Sequence, residues 1–429
     1  MIPVAVAAVV SLLLGGCTDI SQGAQAAPRP AVEVGATAQT TAKTAKPAGI
    51  QLISPDDTTA PPADRPTEYS MPDTDAFHSR IDEIRLANGA YGMGIAVFHN
   101  GDIIYADSFG LADTEQELPC TKNTRFRAAS VSKLISTVLM MKLCDDRLIT
   151  LDSILDDATG LPYSTASGKV NLRHLLTHTA GITDTYLYEW GATERYSVDY
   201  VLEKSLTGIE PGTFYNYTNF GAGTMGAVIE HITGQFFHDY ADRMLFEPLG
   251  MDAGYIIDLI EDKESCAVIY DHDGEVYNVP EWNRKREYYE SFGLGNSYLA
   301  AQGELLITPS DLARLGTALA GDGTVKECGG KRIISEKAVE QIHEVYIDTE
   351  NFGMGLNVRK YDGNLVKGRT LWGHPGNALG AITGMFYDRS DRTGIVIMTN
   401  HCNYGINDEN GMYRLIDDTV NAAYDAFFS

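Results

Sequence analysis

Phe126-Arg127-Ala128-Ala129-Ser130-Val131-Ser132-Lys133, running on into Leu134-Ile135-Ser136-Thr137-Val138-Leu139-Met140-Met141-Lys142-Leu143, decides how this chain is read. From Val131 to Leu143 the residues are apolar on nearly every face of a helix, as expected for a helix at the centre of a protein. Positions i and i+3 lie one turn apart on one helical face, so the Lys133 ammonium can approach the Ser130 hydroxyl. A serine at a helix N-terminus also lies near backbone N–H groups able to stabilise a developing oxyanion. Ser130 is the only serine that stands three residues before a lysine. The plain alternative is a capping serine followed by a solvated lysine, and the buried character of the helix argues against it.

Working outward, Thr74 is expected to cap a helix with Phe77, Ile81 and Ile84 on one face, ended by Asn88-Gly89. Met93 to His99 and Asp102 to Ser108 read as strands around Asn100-Gly101, a strong hairpin signal. Towards the other end, Ala381 to Tyr387 and Gly394 to Thr399 read as paired strands, followed by a helix with Leu415, Ile416, Val420, Ala423 and Phe427 at helical spacing. Between them the pattern is mainly helical, with candidates at Leu172 to Thr177, Gly221 to Ile232 and Ser310 to Leu319. The fold class that follows is α+β: an antiparallel sheet built from both termini, flanked by helices, with a mainly helical region inserted.

The whole chain has 429 residues, 44% hydrophobic, with 58 acidic against 33 basic residues and a net charge of -25. Such acidity excludes a nucleic-acid partner, since phosphate binding needs clustered Lys and Arg. The apolar run Val4 to Leu14, ending Gly15-Gly16-Cys17, is too short to span a membrane but suits a signal peptide, residues 1–17, with Cys17 as a lipidated residue. No Lys or Arg precedes the run, and cleavage without lipidation is the alternative. Residues 18–73 are rich in Ala, Thr and Pro and read as a flexible tether. Residues 74–429 form the folded domain, with a sheet lobe at about 74–125 and 345–429 and a helical lobe at about 126–344. The expected place is extracytoplasmic, on the bacterial cell membrane through the Cys17 lipid or otherwise secreted, as a monomer. The other five cysteines are widely spaced, without C-x-x-C, and one bridge among them is possible.

Two further short segments carry chemistry. In Tyr215-Asn216-Tyr217-Thr218-Asn219 an extended loop lets Tyr217 and Asn219 project into one cleft. An adjacent ammonium is expected to lower the Tyr217 phenol pKa, making it a relay for the Ser130 proton. In Trp372-Gly373-His374-Pro375-Gly376-Asn377 the glycine on an edge strand permits close substrate approach, and His374 faces the same cleft. The Asn377 N–H is a second oxyanion donor beside that of Ser130.

With these motifs in this order, the chain resembles the serine β-lactamase and penicillin-binding-protein family, particularly its class C β-lactamase and DD-peptidase-like branch. The family's Ser-x-x-Lys, Tyr-x-Asn and Lys/His-x-Gly elements match Ser130/Lys133, Tyr217/Asn219 and His374/Gly376. His174-Leu175-Leu176-Thr177-His178-Thr179-Ala180-Gly181 is similar to a structural signature of the family, and the likeness runs from about residue 74 to 429. The resemblance implies a β-lactamase/transpeptidase-like fold and a serine hydrolase acting through an acyl-enzyme on amide or ester bonds. By it, Ser130 is the nucleophile and Lys133 and Tyr217 form the proton-transfer pair. Asn219, His374, Gly376 and Asn377 bind the substrate, Asn219 also orients Lys133, and His374 completes the cleft's electrostatics. It calls for no cofactor and no metal. The substrates it implies are peptidoglycan-derived peptides, β-lactams or esters.

Pro375 stands where many relatives carry a hydroxyl residue, and His374 replaces the commoner lysine. Both changes fit a peptidase, amidase or esterase whose substrate carries less charge at that end. Neither Ser-Asp-Asn nor G-x-S-x-G occurs, which sets aside the class A branch and the α/β-hydrolases. His174 and His178 have a zinc-compatible spacing without a catalytic Glu, and a structural role is the stronger reading. Tyr186, Tyr188 and Trp190 either line the cleft or pack in the core. From another class, a penicilloyl-accepting sensor or receptor would acylate at Ser130 without turnover.

Overall fold

Side-chain alternation builds the sheet in this computed structural model, which describes residues 73–277, 285–349, 351–407 and 410–428. Strand β1 (Gly92–His99) sends Met93, Ile95 and Val97 to one face and Ala96 and Phe98 to the other, and both faces are buried. It turns at Asn100-Gly101, both with positive φ, into β2 (Asp102–Asp113), as the hairpin signal requires. A short β3 (Leu118–Pro119) closes that edge. The remaining strands come from the far end of the sequence: β4 (Ile347–Asp348), β5 (Gly353–Met354), β6 (Arg359–Asp362), β7 (Thr370–Ala378), β8 (Ala381–Asp388) and β9 (Thr393–Thr399). They join in the order β3-β2-β1-β9-β8-β7-β6-β5-β4, all antiparallel, so β1 pairs with β9 across the two ends of the domain.

One face is covered by α1 (Thr74–Ala87) and the last helix, Arg414–Phe427, which join Ile95, Ile395 and Phe386 in one core. Asp73, rather than Thr74, caps α1, its carboxylate accepting from the N–H groups of Asp75 and Ala76. The opposite face carries a larger core around α2 (Val131–Asp145) and α3 (Pro309–Ala320). Helix α2 is buried from Val131 to Leu143, and α3 lies across β1 and β9. The expected helix at Gly221 to Ile232 is two helices, Asn219–Gly223 and Met225–Thr233, parted at Thr224.

Two features depart from the sequence expectation. Segment 370–378, expected on an edge strand, is a nine-residue strand that lies between β8 and β6 over its first part. β6 pairs with β7 only as far as Gly373, so Pro375 sits where that side of β7 has no ladder to break. No disulfide forms among the described cysteines Cys120, Cys144, Cys266, Cys328 and Cys402. The leader, Cys17 and the tether lie outside the described residues, and within these no helix is long and apolar enough to cross a membrane.

Candidate active site

Ser130 is the N-cap of α2, yet its hydroxyl makes no capping bond. The first turn is closed by backbone instead: the N–H groups of Val131, Ser132 and Lys133 donate to the carbonyls of Ala128, Ala129 and Ser130. Ala129 holds a left-handed conformation, φ 48°, which turns the chain sharply into the helix. The Ser130 Oγ is thus left for other partners. It accepts from Lys133 Nζ at 3.0 Å and from Tyr217 OH at 2.9 Å.

Lys133 is fully buried, which removes the solvated-lysine alternative. Its ammonium donates to Ser130 Oγ at 3.0 Å, Asn219 Oδ1 at 2.9 Å and the Gln302 backbone carbonyl at 2.8 Å, with the Gln302 side-chain Oε1 at 3.5 Å. Burial pulls its pKa down to about 7; the Asp184 carboxylate opposes that, and the Arg359 and Arg127 guanidinium groups reinforce it.

Tyr217 and Asn219 ride on a loop, and that loop needs anchors. Asp184 accepts from Thr218 Oγ1 at 2.5 Å, from the Asn219 N–H at 3.0 Å and from the Phe220 N–H at 2.8 Å. The His178 carbonyl accepts from the Asn216 N–H at 2.9 Å, and its Nδ1 from the Thr218 N–H at 3.3 Å. The His178 ring packs on the Tyr217 ring with centroids 4.5 Å apart, and burial lowers its pKa to about 3, so the imidazole is neutral. His174 instead completes a capping box with Asn171. The structure therefore gives the two histidines different structural tasks.

Burial also acts on Tyr217, and here the expectation fails. Desolvation pushes its phenol well above the usual range; Arg359 and the hydrogen bond to Ser130 pull it back only in part. Of the pair, the amine at about 7 is the one that changes protonation near neutrality.

His374, on β7, is 1% exposed, with its ring centroid 6.0 Å from that of Tyr217. Its Nδ1 donates to the Pro375 carbonyl at 2.5 Å, and Nε2 has no hydrogen-bond partner. Burial, with Arg359 and Lys133 nearby, holds its pKa well below the usual imidazole range. His374 is thus beside the site but brings no charge, contrary to the electrostatic part expected of it. Gly376 has another reason to be glycine than substrate approach. A Cβ there would lie 2.2 Å from Thr383 Oγ1 and 2.9 Å from the Ala128 carbonyl, so its absence lets β7 and β8 press against the segment leading into Ser130. Asn377 donates through Nδ2 to Tyr413 OH at 3.2 Å. Of the aromatic trio, Tyr188 is core, while Tyr186 and Trp190 are exposed and meet edge to face.

Sequence reasoning missed three contributors. Gln302 acts most closely through its backbone carbonyl, which leaves no side-chain signal. Asp184 follows the His-Thr-Ala-Gly segment by three residues, and only its position marks it. Arg359, on β6, lies over the Tyr217 ring, Cζ to centroid 5.6 Å, and over the Phe352 ring at 4.4 Å. One arginine in a short strand carries no motif.

Comparison with known proteins gives the family and the fold. The family model described as Beta-lactamase matches residues 77–420. Penicillin-binding protein 4* of Bacillus subtilis (strain 168) is 25% identical over 314 residues, covering 70% of this chain and 66% of that protein. Esterase EstB of Burkholderia gladioli is 30% identical over 254 residues, 52% of this chain and 61% of its own. A solved class C β-lactamase mutant superposes with a TM-score of 0.64 at 21% identity, over 82% of this chain and 96% of that one, and so shares the fold. The matches thus span about two thirds or less of those two relatives' lengths.

Proposed function

This chain belongs to the Beta-lactamase family, and we propose that it is a serine hydrolase that cleaves amide or ester bonds through an acyl-Ser130 intermediate. The observation that carries this reading is the Ser130 hydroxyl held between a buried Lys133 amine and the Tyr217 phenol, at 3.0 and 2.9 Å. Lys133, half neutral near pH 7, takes the Ser130 proton as Oγ attacks the carbonyl carbon. Tyr217 stays a neutral phenol: it holds Oγ in line and passes a proton to the leaving oxygen or nitrogen, regaining one from Lys133. Asn219 fixes the Lys133 amine, and the N–H groups of Ser130 and Asn377 are the proposed oxyanion donors. Water then attacks the ester carbonyl, its proton following the same route in reverse, and the acid is released.

Within that chemistry the reading is a DD-carboxypeptidase-like peptidase or a class C-like hydrolase, with an esterase as the second reading. The named relatives include a penicillin-binding protein and an esterase, which supports both. Neutral His374 and Pro375 on β7 support weak turnover of β-lactams. The run ending at Cys17 supports lipid anchoring outside the cytoplasm. The test is to offer the purified protein nitrocefin, an acetyl ester and a D-Ala-D-Ala peptide, with Ser130→Ala as control. Steady turnover lost by at least about 10³-fold in Ser130→Ala is the expected result. A stoichiometric burst without turnover would mean a receptor, and turnover indifferent to Ser130→Ala would remove the site.

A further inference from the structure

A second group of side chains lies apart from those around Ser130. Among the described residues, only His238, Asp239 and Glu290 bring three metal-ligating groups within 4.8 Å of one another. His238 and Asp239 stand on the helix Phe237–Ala241, and Glu290 ends the helix Arg286–Glu290. The His238 side chain is 3% exposed, and its buried Nε2 has no hydrogen-bond partner. That atom faces Asp239 Oδ1 at 3.8 Å and Glu290 Oε1 at 3.7 Å. These separations are too long for hydrogen bonds and close to the roughly 3.4 Å between two ligand atoms around a tetrahedral zinc ion. Burial lowers the His238 pKa although Asp239 opposes it, so the imidazole is neutral, the form that binds a metal. The Phe236 ring lies nearly parallel to the imidazole, 12° between planes with centroids 5.5 Å apart, and fixes its orientation. The plain alternative is an ion-pair network built on Arg286, which donates from Nη2 to Asp239 Oδ2 at 2.8 Å and from Nε to Glu290 Oε1 at 2.6 Å. One cation then meets two carboxylates, and His238 Nε2 is still left without a partner. Burial, then Glu247 and Asp239, also hold the Asp242 carboxyl on the next turn above its usual range, so negative charge is in excess here.

We propose that His238, Asp239 and Glu290 form a divalent-cation site of the zinc type, which clamps the helix Arg286–Glu290 to the helix Phe237–Ala241. One imidazole nitrogen with two carboxylate oxygens suits zinc, whereas calcium and magnesium take oxygen ligands. Water fills the fourth position. The two carboxylates are 35% and 34% exposed, which gives the ion an entry path that buried His238 alone would not. Arg286 becomes an outer partner, holding Asp239 through Oδ2 while Oδ1 faces the ion. The clamp matters because 47 positions separate Asp239 from Arg286, and their largely exposed ion pair is a weak link by itself. The site shares no residue with the Ser130 contacts and does not depend on hydrolase activity.

The test uses the full-length protein, stripped with a chelator and titrated with Zn²⁺ by calorimetry. One equivalent is expected to bind and to raise Tm as free Zn²⁺ rises, while Mg²⁺ and Ca²⁺ at the same concentrations give no shift. His238→Gln and Glu290→Gln are each expected to weaken that binding by more than about 100-fold, beyond what outer-shell partners are worth. An unchanged circular dichroism spectrum of the metal-free variants separates loss of the ion from loss of the fold. Co²⁺ added to wild type, which needs no variant to fold, is expected to give visible d–d bands without a thiolate charge-transfer band. The assignment is overturned if Zn²⁺ does not bind, binds as tightly in either variant, or is matched by Mg²⁺ or Ca²⁺. A thiolate band with Co²⁺ would overturn it too, by moving the ion to a cysteine and leaving an ion-pair network on Arg286.

Discussion

Helix α2 and the loop at Tyr217–Asn219 deliver equally close contacts to one hydroxyl by opposite means. On the helix, Ser130 and Lys133 are one turn apart, and their 3.0 Å contact follows from local geometry plus complete burial. On the loop nothing local fixes Tyr217. Its 2.9 Å contact depends on Asp184 and His178, residues 33 and 39 positions away and held there by tertiary packing, and the hydrogen bonds to Asn219 and Phe220 run through backbone N–H groups. The lesson is that the helix pair can be damaged only by changing its own side chains, whereas the loop pair can be loosened from outside.

Experiments that break this contrast fall in order of size. Lys133→Met is expected to cut kcat/KM by about 10³- to 10⁴-fold, because of the two described side chains that hydrogen-bond the Ser130 hydroxyl only this amine titrates near neutrality. In wild type the same amine is expected to give a kcat/KM that rises with pH through about 7 and then levels, measured as a pH-rate profile. Stability carries the same signature. The unfolded lysine titrates near 10.4, so between about pH 7 and 10 the unfolded chain holds a proton that the folded one lacks. Wild type therefore gains stability relative to Lys133→Met as pH rises across that window; a parallel pair of curves by denaturant titration would show that the amine is not depressed.

Tyr217→Phe is the next largest, about 10²-fold or more in turnover, with an unchanged circular dichroism spectrum and a retained acid limb near pH 7. Loss of the limb would make the phenol, not the amine, the titrating group. Smallest is Asp184→Asn, about 10-fold in kcat, with about 1–3 kcal/mol of stability lost from the weakened loop anchor. The contrast between helix and loop is sharpened if this variant raises the kinetic cost only where Tyr217 is present, as a double-mutant cycle with Tyr217→Phe would report.

Much of this was legible in the residues. The Asn100-Gly101 hairpin, the helix buried on all sides after Ser130 and the pairing of chain ends into one sheet depend on local turn chemistry and periodicity, and each appears with boundaries shifted by a few residues. The Ser130–Lys133 and Lys133–Asn219 contacts also appear at the positions read from sequence. The Thr370–Ala378 strand was legible as an edge strand; that its first part is flanked on both sides, by β8 and β6, depends on pairings made only on folding. Arg359 and Asp184 were hidden because each acts alone, through contacts made only on folding.

Sequence by itself determined the fold class and which side chains have chemistry to offer, because periodicity, turn residues and i,i+3 spacing are properties of the chain. Charge was decided by tertiary structure. Burial brings Lys133 down to about 7, drives Tyr217 away from ionisation, silences His374 and leaves Arg359 as a cation with phenols around it. A protonation state is set by the solvent and fields that surround a group, and those exist only once distant segments have met.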